Sequence, residues 1–135
     1  MKKMLLATLL VVCATGVWAE GEPLACQEED SGGLRWADGK WKTTGYHTQR
    51  FVLVLEGDVL SKTSVMKAFV GDDGNSYQVT CTNVNPQIRC EDQTGSSLYY
   101  DPRVKRGGIA RIFGATLTSN QRDTLSVSAF TCQPF

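Results

Sequence analysis

Histidine is nearly missing from this chain: His47 is the only one in 135 residues. A catalytic dyad built on histidine would have to use that side chain as its base, and no G-x-S-x-G pattern accompanies it. Excess charge is missing too. Lys and Arg number 14 against 14 for Asp and Glu, with no long block of one sign, so neither a nucleic-acid partner held by phosphate neutralisation nor an acidic disordered tail is expected. No internal repeat, low-complexity segment or linker breaks the chain, and 135 residues fit one small domain.

Long hydrophobic runs are absent except at the start. Met1-Lys2-Lys3 precedes an apolar stretch from Met4 to Val12, which continues less strictly to Val17-Trp18-Ala19. This pattern predicts a secretory signal peptide over residues 1–19, cleaved after Ala19. It is shorter than the roughly 20 apolar residues that span a bilayer, so no membrane anchor is expected after cleavage. Leu24-Ala25-Cys26 resembles the tail of a lipobox, but Glu20 to Pro23 separate it from the apolar run, and lipidation is not expected. The Lys-Lys start looks like that of a bacterial exported protein, which places the product in the periplasm or outside the cell. The mature domain is then residues 20–135, with 12 basic against 14 acidic residues and a net charge of −2.

Four cysteines remain after cleavage, Cys26, Cys81, Cys90 and Cys132, and an even number in an exported chain reads as disulfides. Three connectivities are open. The favoured one joins Cys81 to Cys90 across a hairpin at Asn83 to Pro86, and Cys26 to Cys132 across the whole domain. A four-cysteine zinc site would need paired C-x2-4-C ligands, which this spacing does not supply.

From Leu34 onward apolar residues alternate, and nowhere do they recur at helical spacing over three turns, so the domain reads as all-β. Leu34 to Thr43 forms a hairpin about Asp38-Gly39, and Phe51 to Leu55 a strand covered on both sides or central. Val65 to Val70 reads as a further strand, followed by a turn over Gly71 to Asn75. Tyr77 to Thr82 and Ile88 to Cys90 pair about Pro86, and Ser97 to Asp101, Ile109 to Leu117 and Thr124 to Thr131 complete the set. Residues 20–33 read as a polar lead-in pinned by Cys26. About eight short strands predict a small antiparallel β-barrel, lipocalin-like or sandwich-like, and a barrel is preferred because it removes exposed edges.

Catalytic and metal chemistry are weakly represented. Asp72-Asp73-Gly74-Asn75 lacks the ligand spacing of an EF-hand, and Glu91 and Asp92, adjacent on a strand, should point to opposite faces. The expectation is a protein with no metal, no cofactor and no catalytic residues. Binding residues are better represented. Arg103, Lys105 and Arg106 gather three cations beside Gly107-Gly108, a turn suited to an acidic partner. Trp36 and Trp41, five apart across a tight turn, either plug one barrel end or line a binding mouth, and Tyr46, Tyr99 and Tyr100 are candidates to extend an aromatic surface.

Three resemblances add expectations. Gly39-Lys40-Trp41 followed by antiparallel strands resembles the G-x-W opening of lipocalins, which implies a carrier of small apolar ligands. Thr94-Gly95-Ser96-Ser97-Leu98-Tyr99 is similar to the S-G-x-x-Y strand of periplasmic inhibitors of C-type lysozyme, with Thr first and one residue more before the tyrosine. Arg106-Gly107-Gly108-Ile109-Ala110 is similar to their K-G-x-x-A pattern. This implies a disulfide-bearing barrel that inhibits an envelope-directed enzyme. The Trp-x-x-Gly-x-Trp segment and the closing Ala129-Phe130-Thr131-Cys132 look like those of small exported bacterial β-barrel proteins still uncharacterised, which implies no particular function. Together they predict a non-catalytic exported binding protein, with a protein partner met on Thr94 to Tyr100 and Arg103 to Gly108, or with an apolar ligand at the tryptophans.

Overall fold

The computed structural model describes residues 21–70, 77–112 and 124–135. The expected signal peptide, the turn at Gly71 to Asn75 and the part of the expected strand beyond Ile112 lie outside the described residues. The chain runs β1 (Glu22–Ala37), β2 (Lys40–Gly45), β3 (Arg50–Glu56), β4 (Val59–Leu60), α1 (Lys62–Val70), β5 (Val79–Asn83), β6 (Ile88–Asp92), β7 (Ser97–Asp101), β8 (Arg106–Arg111) and β9 (Thr124–Pro134). All pairings are antiparallel, in the order β4-β3-β1-β9-β8-β7-β6-β5, with β2 beside the second half of β1. The sheet curls into a nearly closed eight-strand barrel.

The polar lead-in is instead the longest strand. Leu24, Cys26 and Glu28 are buried, and the register with β9 shifts between Glu28 and Asp30, so one extra residue is absorbed as a bulge. Charged residues mask the alternation because Glu28 faces inward. The stretch Val65 to Val70 is also corrected: it lies in a helix, not a strand. Val65, Ala68 and Phe69 are buried at helical spacing, and an apolar run this short does not reveal its period. Ser61 N donates to Val54 O (2.8 Å), and Val54 N donates to Ser64 Oγ (3.1 Å). The start of α1 thus satisfies the β3 backbone where β4 ends, and α1 packs between β3 and β5.

Both expected disulfides form, Cys26–Cys132 between β1 and β9 and Cys81–Cys90 between β5 and β6. The interior is filled by fully buried Leu53, Leu60, Val65, Ile88, Cys90, Leu98, Tyr100, Ile109 and Phe130. Tyr100 stacks on Phe130 at 6.3 Å between ring centroids, and Phe51 meets Phe130 edge-on at 5.1 Å. Gly107 pairs with Phe130. A Cβ there would lie 2.8 Å from Phe130 Cε1 and would also run into Cζ and the Tyr99 carbonyl oxygen. Gly107→Ala should therefore lower stability by about 1 to 3 kcal/mol, read as a fall in the urea midpoint. An unchanged midpoint would mean that the ring has room to move.

The barrel has a disulfide end, near Cys26–Cys132, and a hairpin end, near Ala37 and Lys40. Asp38 and Gly39 both take positive φ, 54° and 73°, as the expected two-residue Asp-Gly turn requires. Lys42 closes onto Asp38 across it.

Candidate functional site

The register places Tyr99 beside Gly108, and Gly108 beside Ala129. Their neighbours Leu98, Tyr100, Ile109, Ser128 and Phe130 are buried, so alternation puts Tyr99, Gly108 and Ala129 on the outer face. Tyr99 is 41% exposed, with the Arg89 guanidinium 5.7 Å from its ring centroid. Because the glycine and alanine add no bulk, the ring stands at the side of a groove. This groove, of about 340 Å3, is lined by Gln87, Tyr99, Val104, Arg106 and Gly108 with the backbone between them.

The turn at its edge is tightly held. Arg103 N donates to Asp101 Oδ1 (2.9 Å), Lys105 N to Asp101 O (2.8 Å) and Cys132 N to Lys105 O (2.9 Å). Arg103 also folds back, its Nη2 lying 2.9 Å from Asp101 Oδ2. The hydrogen bond from the Arg103 side chain holds the Asp101 carboxyl below the ordinary carboxylate value, and the guanidinium charge is spent locally. Arg89 is likewise paired with Glu91. Lys105 and Arg106 are exposed and have no acidic partner among the described residues. Val104, just before them in the turn, is 61% exposed. Arg106, the protruding Val104 and the Tyr99 ring therefore share the groove, with Lys105 beside them on the same turn.

Of the residues expected from sequence, Tyr99 and Arg106 line the groove, Lys105 adjoins it on the turn, and Arg103 braces that turn. The rest of the expected surface does not join them. The turn at Thr94 to Ser96 precedes β7 at the hairpin end, and the Arg103 to Arg106 turn follows it at the disulfide end. A strand's length separates the two, so they form no common loop surface. Trp36 and Trp41 also sit at the hairpin end. They pair directly, 5.4 Å apart and edge-on, half-buried against each other rather than plugging the barrel. The three tyrosines form no common surface either: Tyr100 is core, its hydroxyl pKa raised chiefly by burial, and the Tyr46 hydroxyl donates to Leu34 O (3.0 Å). Glu91 and Asp92 face opposite ways, exposed and buried, as their adjacency requires.

A second polar site, outside the residues expected from sequence, lies between the β1 bulge and the end of α1. Glu28, 3% exposed, accepts from Ser128 Oγ (2.7 Å) and Gln49 N (2.9 Å), and Arg111 Nη1 lies 3.6 Å from its Oε1. Arg111 donates through Nε to Phe69 O (3.0 Å) and through Nη2 to Ala68 O (2.7 Å). It thereby satisfies carbonyls at the end of α1, which no further helical turn can. Glu28, Gln49, Phe69 and Arg111, with His47, border a cavity of about 260 Å3. The one available signal was the alternation Leu24, Cys26, Glu28, which places a carboxylate on the core side.

Among the described residues no group of three or more His, Cys, Asp or Glu is arranged to hold a metal, and no helix is long and apolar enough to cross a membrane. Comparison with protein-family models, curated proteins and solved structures finds no match to this chain.

Proposed function

We propose that the protein is an exported, non-catalytic binding protein that engages an acidic surface of an envelope-directed enzyme through the Tyr99–Arg106 groove. The carrying observation is that Lys105 and Arg106 stand uncompensated beside an exposed tyrosine on a turn fixed by three hydrogen bonds. A preorganised turn loses little freedom on binding. Glycoside hydrolases of the lysozyme type cut between two carboxylates, so their clefts are acidic and suited to unpaired cations. Further support comes from the two segments similar to lysozyme-inhibitor motifs, which lie on adjacent strands with Tyr99 opposite Gly108. Two disulfides fit an oxidising compartment. A carrier of apolar ligands is not our reading, because side chains occupy the barrel interior.

The oxidised protein should slow cell-wall hydrolysis by a C-type lysozyme. Lys105→Ser with Arg106→Ser should weaken that inhibition at least about tenfold, and added salt should weaken the unaltered protein in the same direction. Full lysozyme activity in excess unaltered protein would reject this partner class, and equal inhibition by the double variant would reject this surface.

A further inference from the structure

We propose that the cavity between the β1 bulge and the end of α1 binds one neutral, hydroxyl-bearing ring of monosaccharide size. The site is separate from the groove and does not depend on the function proposed for it. Its volume, about 260 Å3, falls below the roughly 300 to 1,000 Å3 of sites for drug-sized ligands, so it has room for one ring rather than a chain.

The charges on its wall compensate each other. Glu28 faces Arg111, and the carboxylate's remaining bonds come from Ser128 and the Gln49 backbone. Arg111 spends its other donors on the α1 carbonyls. A charged ligand would find no unspent counter-charge in this pair. What remains open is hydroxyl chemistry. Ser31, 7% exposed, and Ser126 line the cavity, and their hydroxyls have no hydrogen-bond partner among the described residues. The Tyr46 phenol donates to Leu34 O and accepts from the Thr124 hydroxyl, which leaves its oxygen one further lone pair. Groups that both donate and accept match a sugar hydroxyl, which does the same. Phe69 and Val70 at the end of α1 add apolar residues to the lining. A pyranose has this same division, with hydroxyls around its rim and C–H bonds on its face, where an aromatic ring packs.

The test is an amide-resolved NMR titration of the oxidised protein with D-glucose and N-acetyl-D-glucosamine to about 50 mM, enough to saturate a millimolar site. The expected result is saturable shifts at Ser31, Tyr46 and Ser126, with Tyr99 and Lys105 unmoved. Ser126→Leu fills the cavity and should weaken binding more than tenfold. Tyr46→Phe keeps the size but removes the hydroxyl, and should weaken it several-fold even if the leucine variant does not fold. Saturation by neither sugar, or undiminished saturation in the phenylalanine variant, would overturn the proposal.

Discussion

Replacing Arg111 by leucine should lower the unfolding free energy by about 3 to 5 kcal/mol, the range for breaking one partner from a buried ion pair. The residue lies on β8, yet it holds two distant elements. Its guanidinium reaches the Phe69 and Ala68 carbonyls at the end of α1 and, on its other side, approaches Glu28 on β1. Leucine would leave the Glu28 carboxylate, 3% exposed, with only Ser128 and the Gln49 amide, and would open the helix end. Urea unfolding of the oxidised protein reads the loss directly, as a lower midpoint at constant slope. Glu28→Gln and the double variant complete a cycle: if the charges support each other, the double variant should lose less than the sum of the single losses. A single-variant loss under about 1 kcal/mol, the level of an exposed pair, would show that this cluster does not tie α1 to the barrel.

The second large effect concerns the long disulfide. Cys26 and Cys132 are 106 residues apart, against nine for Cys81 and Cys90. In the chain-entropy account the long bond restricts the unfolded chain by about 4 to 5 kcal/mol and the short one by about 2 to 3. Paired Cys→Ser changes at positions 26 and 132 should therefore cost more than those at 81 and 90. Both bonds join directly paired strand positions, with Cys26, Cys90 and Cys132 buried, so the local penalty of placing serine there is of similar kind. Denaturation midpoints of the two double variants measure the difference. Equal losses would contradict the loop-length argument and place the stabilisation in local packing instead.

Several parts of this fold were legible because neighbouring residues carry them. Asp38-Gly39 announces its hairpin through the φ values the turn demands, and Tyr77 to Cys90 sets both a register and a disulfide. What escaped depends on distant partners. Glu28 and Arg111 are 83 positions apart in number, and nothing beside either one indicates that they meet. The strand β1 was hidden because an inward glutamate reads as polar surface until its partners are known. The helix α1 was hidden because Val65 to Val70 is too short an apolar run to show its period, and because Ser61 and Ser64 act on the β3 backbone rather than on α1 alone. The site divides in the same way. The cations at 103 to 106 were visible as a cluster, but their inequality was not: Arg103 is neutralised by Asp101, whereas Lys105 and Arg106 are not. Which loops share an end is a property of topology. The strand β7 carries Thr94 to Ser96 and Arg103 to Arg106 at its opposite ends, and no local pattern reports that.

Engagement of a partner at the Tyr99–Arg106 groove can be read residue by residue. The most direct measurement is amide-resolved mapping of the oxidised protein with a C-type lysozyme added in steps at low salt. Shifts or broadening should concentrate at Tyr99 and Val104 to Gly108, with Trp36, Trp41, Thr94 and Gly95 unaffected. Perturbation centred on the tryptophan hairpin, or none at saturating lysozyme, would contradict it.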